Sequence, residues 1–312
     1  MSSTPQPEGL LVVDKPQGWT SHDVVGRLRR LCGTKKVGHA GTLDPMATGV
    51  LVAGVGRGTK LLTYLVGADK TYQAVIRLGV STVTEDAEGE VVAVAPPEAV
   101  EALTQAEIYR AVARLTGEIR QVPSAVSAIK VDGKRSYAKV RAGEDVVLEP
   151  REVTVSRFEI HGVTPQVLEE RTRVMDVSVT VDVSSGTYVR ALARDLGDAL
   201  GVYGHLTVLR RTRVGSLDLS HANDLEQLRR VVDQGQQIPM TSLEEAAGAM
   251  FPARQVSDAE AADLGHGKRV AATGVSGVTA AFAPDGGLVA LVEDRGHDHE
   301  RTAKPIVVLR PQ

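Results

Sequence analysis

The chain has 312 residues, of which 42% are apolar and 24% charged, as expected for a globular protein with one large and one small domain. Its formal net charge of −3 argues against a nucleic-acid partner bound through a generally basic surface. The single cysteine, Cys32, excludes an internal disulfide, and no apolar run approaches a membrane span, so we expect a cytoplasmic protein. Residues 1–8 are predicted to be a disordered tail, not a signal peptide.

Apolar runs and capping signals predict the elements of the first half of the chain. Residues 10–13 are predicted to form a buried strand, and a capping-box pattern that begins at Thr20 opens a helix. Further strands are predicted at residues 50–55, 72–78 and 91–94, and a second helix between Thr104 and Gly117. Residues 54–60 are not expected to form a phosphate-binding loop, because they contain Gly-Thr-Lys in place of Gly-Lys-Thr, and their glycine spacing also differs from the dinucleotide-binding fingerprint.

Residues 38–49, Gly-His-Ala-Gly-Thr-Leu-Asp-Pro-Met-Ala-Thr-Gly, form the most informative segment. Pro45 has no N–H and biases Asp44 away from the helical region, so neither a regular helix nor a central strand is expected. The glycines permit tight turns and close approach by another molecule. We therefore predict a tight loop that holds Asp44 with His39 nearby; a structural Asx turn at Asp44 is the alternative.

The second half of the chain mixes strands and helices without strict alternation, which indicates an α+β fold. Residues 123–150 are basic and lack periodicity, as is typical of a functional excursion. Residues 177–183 alternate valine with polar residues and predict a half-buried strand, and the next helix carries Arg190 in its first turn, on the polar side. A domain boundary is predicted near 248–252, followed by a short helix capped by Ser257 and by glycine-rich β segments.

The segment at 38–49 resembles the catalytic loop of the TruB family, the bacterial tRNA pseudouridine-55 synthases. Further segments resemble the same family in the same order: residues 10–21 (Leu-Leu-Val-Val-Asp-Lys-Pro-Gln-Gly-Trp-Thr-Ser), 69–72 (Asp-Lys-Thr-Tyr), 82–89, 123–130, 184–197 (Ser-Ser-Gly-Thr-Tyr-Val-Arg-Ala-Leu-Ala-Arg-Asp-Leu-Gly) and 205–211. The resemblance implies a catalytic domain over residues 9–248, with a mixed, largely antiparallel central sheet, flanking helices and an RNA-contacting insertion at about 123–150. Residues 249–312 look, more weakly, like a small β-rich, PUA-like RNA-binding domain.

The resemblance implies that the protein isomerises uridine 55 in the T loop of tRNA to pseudouridine. This reaction consumes neither electrons nor water, so no cofactor and no metal are expected. By resemblance Asp44 is the catalytic carboxylate, and Arg190 is the cation that opposes the effect of burial on its pKa. The alternative for Arg190 is an ion pair with Asp195 or Asp198 on its own helix. Tyr72 resembles the catalytic tyrosine that stacks on the target base; a core tyrosine is its alternative.

Six further residues are predicted to bind substrate. By resemblance Leu209 packs on the other face of the base, and His39 fills the space that the flipped uridine leaves. Lys15 either supports the site or meets phosphate. A core leucine and a loop-stabilising histidine are the alternatives for the first two. The remaining three residues are Thr42, Lys130 and Arg211.

Basic residues cluster beside these motifs, at residues 27–36, 128–141 and 207–213. Together they predict a local phosphate-binding surface on an otherwise acidic protein, although each cluster alone is more typical of a solvated face. The polar residues 297–300, His-Asp-His-Glu, only weakly suggest a metal site, and we expect none.

Other functions remain open at the level of the sequence. A non-catalytic tRNA-folding module would share every RNA-binding feature and would differ only in not using Asp44. A glycosidase would need a second carboxylate, for which Asp86 is the best candidate. A guide-RNA-dependent enzyme is also conceivable, but residues 123–150 resemble the insertion of the bacterial stand-alone enzymes. We therefore expect tRNA as partner, no guide RNA and a monomer.

Overall fold

The computed structural model describes residues 7–124, 130–131, 134–135, 148–296 and 301–310. The strands in this part of the chain are β1 (Gly9–Lys15), β2 (Val37–Ala40), β3 (Thr48–Val55), β4 (Lys70–Leu78), β5 (Val80–Thr82), β6 (Val91–Val94), β7 (Gly117–Gln121), β8 (Lys130–Val131), β9 (Lys134–Arg135), β10 (Arg151–Val167), β11 (Arg173–Val183), β12 (Gly204–Val214), β13 (Leu217–Asp218), β14 (Ala253–Gln255), β15 (Val270–Ala271), β16 (Val278–Phe282), β17 (Leu288–Arg295) and β18 (Thr302–Val308). The α-helices are α1 (Ser21–Leu31), α2 (Leu62–Val66), α3 (Pro97–Glu101), α4 (Gln105–Arg114), α5 (Val189–Leu200), α6 (Leu225–Asp233), α7 (Leu243–Met250) and α8 (Asp258–Gly265).

Nine strands form the central sheet, in the order β1-β3-β12-β4-β11-β10-β7, with β2 paired to β3 and β13 paired to β12. Adjacent strands are antiparallel except β3 and β12, which run parallel where Thr48 and Gly49 face Arg210 and Arg211. The predicted α+β fold with a mixed, largely antiparallel central sheet is therefore confirmed. The parallel pair brings the end of the 38–49 segment beside a strand that begins about 150 residues later in the chain.

Helices α1, α4 and α5 cover one face of this sheet. In α1 the capping box of Thr20 and Asp23 fixes the first turn, and Val24, Val25 and Leu28 point into the core. A second capping box opens α4 at Thr104, as predicted. The apolar residues of α5 belong to the same core, and the helix packs against β12 and β4, so the first turn of α5 lies against the sheet.

The hairpin of β5 and β6 forms a separate two-stranded sheet. The turn between its strands reaches back to the central sheet, because Asp86 forms a β-bridge with Leu206 of β12. This contact brings residues 84–86 close to the first turn of α5, which also begins beside the central sheet.

The C-terminal strands form a five-stranded sheet, in the order β14-β16-β17-β18-β15. Residues of this sheet share an apolar cluster with β1, β3 and α2, to which Phe282 and Leu309 belong. Tyr64 of α2 also meets Phe251 edge to face, with ring centroids 5.0 Å apart. The C-terminal sheet therefore covers the face of β1 and β3 that lies opposite α1.

Several expectations from the sequence need adjustment. The predicted loop at 38–49 is shorter, because residues 37–40 form β2 and residues 48–49 begin β3. Gly38 lies in β2, an edge strand, whereas Gly49 lies in β3, an interior strand, contrary to the expectation of no central strand. Residues 1–6 of the predicted tail lie outside the described residues, while Glu8 forms an ion pair with Arg57.

Helix α7 runs across residue 248, so the division into two domains there stays a prediction. Over the described ranges, no helix is both long and apolar enough to cross a membrane.

Candidate active site

The loop between β2 and β3 carries Asp44 and is held from two sides. On one side, the ammonium group of Lys15 donates to the carbonyl oxygens of Pro45 (3.2 Å) and Trp19 (2.6 Å). The hydroxyl of Ser21 binds the backbone of Leu43, donating to its oxygen and accepting from its nitrogen. Lys15 is completely buried and holds the loop, which favours support of the site, one of the two predicted roles.

On the other side, Arg211 of β12 holds the beginning of the same loop. Its guanidinium donates to the carbonyl oxygens of Gly41 (3.0 Å), Thr42 (3.4 Å) and, on β3, Val50 (2.8 Å). Arg211 is only 1% exposed, and its donors are directed at the backbone. Arg211 therefore holds the loop. Because it also lines the cavity described below, its contact with substrate stays a prediction.

Asp44 and Arg190 form an ion pair at the centre of this arrangement. The Nε atom of Arg190 lies 2.9 Å from Oδ2 of Asp44, and the side chains are 6% and 38% exposed, respectively. The guanidinium is therefore buried while the carboxylate remains accessible. Asp195, an alternative partner of Arg190, pairs instead with Arg194.

Arg190 is oriented by two further segments of the chain. Its Nη1 atom donates to the carbonyl oxygen of Thr84 at 2.7 Å and to the hydroxyl of Ser124 at 3.1 Å. Asp86 is 4% exposed and lies 3.8 Å from Nε of Arg190, so two carboxylates flank one guanidinium. Ser124 is also completely buried, and the sequence analysis did not single it out.

Asp86 does not line the cavity described below. Its Oδ1 atom accepts from the hydroxyl of Thr84 and from the backbone nitrogen of Glu88. The glycosidase alternative required Asp86 as a second carboxylate at the cleaved bond. The structure instead buries Asp86 in the turn that orients Arg190, which removes the support for that alternative.

A cavity of about 340 Å³ opens beside the ion pair. The side chains of Tyr72 and Leu209, from the neighbouring strands β4 and β12, are 8% and 6% exposed and line it. Other lining residues are Thr42, Asp44, Lys70, Thr187, Arg190 and Arg211. The cavity thus has apolar walls, an accessible carboxylate and three cationic side chains.

Lys70 is a cavity residue that sequence reasoning missed, although its segment Asp-Lys-Thr-Tyr was recognised. Its ammonium group donates to the carbonyl oxygens of Val66 (3.0 Å) and Ala68 (2.6 Å). Burial, with a smaller effect of the nearby Arg211 charge, lowers the pKa of Lys70 to about 8. Burial similarly lowers the pKa of Lys15 to about 8, and the charge of Asp44 opposes this shift. Both pKa values lie above 7, so the two ammonium groups remain mostly protonated near neutral pH.

His39 lies on β2 and is not among the residues that line the cavity. Its ring meets that of His22 edge to face, with centroids 5.7 Å apart. Burial, and then the charges of His22 and Arg211, lower the pKa of His39, so it is neutral near pH 7. Its role in filling the space left by a flipped nucleotide stays a prediction.

The predicted basic clusters have different outcomes. In the cluster at 207–213, Arg211 is buried and Arg210 pairs with Asp14 at 2.7 Å, so this cluster is not a free phosphate-binding surface. In the cluster at 27–36, Lys35 and Lys36 are exposed. The side chains of the third cluster, including Lys130, lie outside the described residues, as do residues 297–300. Elsewhere in the described ranges no group of histidine, cysteine and acidic residues could hold a metal ion.

Comparison with protein families gives matches along most of the chain. A model of the N-terminal domain of the TruB family pseudouridylate synthases matches residues 29–189. A model of the tRNA pseudouridylate synthase B C-terminal domain matches residues 190–246, and one of the tRNA pseudouridine synthase II C terminus matches residues 251–310. A tRNA pseudouridine synthase B of Arthrobacter sp. (strain FB24) is 56% identical over 312 residues, covering 97% of each chain.

The chain belongs to the TruB family of pseudouridylate synthases. It is thus an enzyme, an isomerase, as the motifs had indicated. A second TruB relative, the tRNA pseudouridine synthase B of Mycobacterium sp. (strain KMS), is 54% identical over 303 residues, covering 97% of this chain and 96% of the relative. Among solved structures, a Cbf5-Nop10-Gar1 complex contains a chain with the same fold, at a TM-score of 0.71 and 25% identity, covering 97% of this chain and 85% of that one.

Proposed function

We propose that this TruB enzyme isomerises uridine 55 in the T loop of tRNA and that Asp44 is the essential carboxylate. In this reaction the C1′–N1 bond of the nucleotide breaks, the C1′–C5 bond forms, and the hydrogen of C5 is lost to solvent while N1 gains a proton. The accessible carboxylate of Asp44, paired with the buried guanidinium of Arg190, is the observation that carries the proposal. The names of the relatives, which are tRNA pseudouridine synthases, support the substrate.

The cavity is suited to hold a base that has been flipped out of the RNA. Tyr72 and Leu209 lie on its walls, so a uracil ring can stack between a phenol ring and an aliphatic side chain. Such stacking offsets part of the few kcal/mol that flipping a nucleotide costs. Walls that exclude water also favour rejoining of the freed base over its replacement by water.

Asp44 acts on C1′ in this proposal, and the guanidinium of Arg190, whose Nε lies 2.9 Å from Oδ2 of Asp44, holds the carboxylate in place. The hydrogen bonds from Arg190 to Thr84 and Ser124 fix the guanidinium before substrate binds. The pair therefore needs little reorganisation when charge develops on the sugar.

The proposed partner is a T stem-loop alone, with no guide RNA, and the proposed active form is a monomer in the cytoplasm. The exposed Lys35 and Lys36 are suitable for contact with phosphates. The PUA-like domain is a weaker candidate for RNA contact. Many of its basic side chains are already paired, as Arg254 is with Glu260 and Arg310 with Asp285.

A tritium-release assay tests this proposal. The purified protein is incubated with a T-stem-loop transcript that carries tritium at C5 of its uridines, and the wild type is compared with Asp44→Asn. Asp218→Asn, at a half-exposed carboxylate outside the cavity, controls for the loss of one charge. We expect release from the wild type and Asp218→Asn, and none from Asp44→Asn.

Other results would contradict the proposal in distinguishable ways. Binding without release by the wild type would indicate a tRNA-folding module. Free uracil and abasic RNA as main products would indicate a glycosidase. Release only after another RNA is added would indicate dependence on a guide.

A further inference from the structure

Helix α5 carries a second arginine, Arg194, one turn after Arg190. Residues four apart lie on the same face of a helix, so both guanidinium groups point towards the same neighbours. Arg194 donates from Nη1 to Oε1 of Glu85 at 2.7 Å and from Nη2 to the carbonyl oxygen of Val122 at 2.7 Å. Its Nε and Nη2 atoms also bind Asp195 at 2.9 and 2.7 Å.

The two segments that Arg194 holds are the same two that orient Arg190. Thr84, whose carbonyl oxygen accepts from Arg190, directly precedes Glu85. Ser124, whose hydroxyl accepts from Arg190, is two residues after Val122. Every described hydrogen bond of Arg190 other than that to Asp44 therefore depends on a segment that Arg194 also binds.

The segment that contains Val122 and Ser124 has one more anchor on α5. The side-chain amide of Gln121, which is 2% exposed, donates to the carbonyl oxygen of Tyr188 and accepts from its backbone nitrogen. Residues 121–124 therefore lie along the first turns of the helix and are tied there at three points.

The segment that contains Glu85 is strained. Glu85 has φ +60°, in the left-handed region that a residue with a side chain adopts rarely. Its side chain is 14% exposed, and within the described ranges its Oε2 atom is buried without a hydrogen-bond partner. Such a conformation persists only when surrounding contacts impose it. At Glu85 these contacts are backbone hydrogen bonds with Thr82 and Leu206 and, from the side chain, the ion pair with Arg194.

We propose that Arg194, together with Glu85, is a positioning residue for catalysis, a role that rests on the proposed function. Arg194 holds the Thr84–Asp86 turn and residues 122–124 together, and these in turn aim the guanidinium of Arg190 at Asp44. Arg194 does not line the cavity and contacts no substrate. Its loss therefore lowers the rate of the chemical step and leaves RNA affinity nearly unchanged.

The chain offers a matched control in Arg77 and Asp176. This pair is matched in burial, since its side chains are 22% and 17% exposed, against 25% and 14% for Arg194 and Glu85. It is bidentate, with distances of 2.8 and 2.7 Å, whereas Arg194 and Glu85 are joined at one pair of atoms. Arg77 lies at the end of β4 away from Tyr72 and outside the cavity. If loss of a partly buried ion pair is by itself enough to lower kcat, the replacement of Arg77 and the replacement of Arg194 will lower it alike.

The test measures kcat by tritium release, the dissociation constant of the T stem-loop, and the thermal unfolding midpoint for the wild type, Arg194→Met, Arg194→Lys and Arg77→Met. We expect Arg194→Met to lower kcat about 10- to 100-fold, because a displacement of about 1 Å at reacting groups has effects of that size. The dissociation constant should change by less than about twofold. Lysine can retain the pair with Glu85 but not the contact with Val122 at the same time, so Arg194→Lys should recover part of the lost rate.

The outcomes separate the two proposals. A wild type without activity refutes the proposed function itself. An active wild type in which Arg194→Met keeps kcat, or loses it only as much as Arg77→Met does, refutes the positioning role alone. If Arg194→Met does not fold, Glu85→Gln replaces it: it keeps an acceptor at Oε1 but removes the charge, and an unchanged kcat would again refute the role.

Discussion

Replacement of Gly49 by alanine tests how closely the active-site loop and β12 must approach each other. Gly49 has φ +101°, and a Cβ atom there would lie 2.1 Å from the carbonyl oxygen of Arg211. Since ordinary contacts begin at 3.4 Å, β3 and β12 would have to separate by more than 1 Å. The close approach that the glycine permits is thus made by the chain itself, not by another molecule.

The expected loss of stability in Gly49→Ala is the sum of backbone strain and steric overlap. An alanine at φ near +100° costs about 1–3 kcal/mol through backbone strain alone. Overpacking against a fixed backbone typically adds about 1–3 kcal/mol. Because the strands that must separate also carry Arg211, which holds Gly41 and Thr42, the loop with Asp44 should shift as well. We therefore expect a loss of about 2–6 kcal/mol in the free energy of unfolding and a fall in kcat of about 100-fold.

Gly117→Ala is the matched control for this prediction. Gly117 has nearly the same φ, +98°, but its Cβ atom would meet nothing within 4 Å. Urea unfolding of both variants separates backbone strain from steric overlap, since only the strain is common to them. Equal losses of stability, or full activity of Gly49→Ala, would show that the contact between Gly49 and Arg211 is not rigid and would refute the reasoning.

Three further predictions follow from the buried polar groups. Arg211→Lys should lower kcat at least about tenfold with unchanged stem-loop affinity, because one ammonium group cannot reach the three carbonyl oxygens that the guanidinium binds; an unchanged kcat in the tritium assay would contradict this. The pKa of Lys70 is about 8 in the folded protein and 10.5 when unfolded, so the folded state binds fewer protons between these pH values and the free energy of unfolding should rise with pH there. Urea unfolding at pH 7.5 and 10 should show this rise in the wild type and a smaller rise in Lys70→Met. Burial raises the pKa of the Cys32 thiol to about 11 from 9.0, so its alkylation at pH 8, followed by mass spectrometry, should be at least about 100-fold slower in the folded than in the urea-unfolded protein.

The sequence was most informative where local chemistry decides the structure. Capping residues such as Thr20 and Thr104 began the helices where they were predicted, because a capping box acts within four residues. The alternation of residues 177–183 likewise gave the buried face of β11. The resemblance to known motifs predicted the pairing of Asp44 with Arg190. No local pattern predicts this pairing, because the two residues lie 146 positions apart.

The role of buried cations was the hardest part of the site to predict. Lys15 was expected either to support the site or to meet phosphate, and Arg211 to bind substrate, since lysine and arginine are rarely buried unless paired. Both are buried and donate to carbonyl oxygens of the active-site loop, an arrangement that depends on the pairing of β3 with β12 and is invisible to periodicity. The contribution of Ser124 was missed for the same reason, because its contact with Arg190 links elements distant in sequence.

The shared apolar cluster of the C-terminal sheet with β1 and β3 has a consequence for biosynthesis. Leu309 belongs to this cluster and its carbonyl oxygen accepts a hydrogen bond from Arg57, although 252 positions separate them. While the ribosome is still translating the message, the nascent chain must leave one side of its first strands uncovered. The apolar face of β1 and β3 is therefore covered only after β16, β17 and β18 have been synthesised, and removal of these strands would expose that face to solvent.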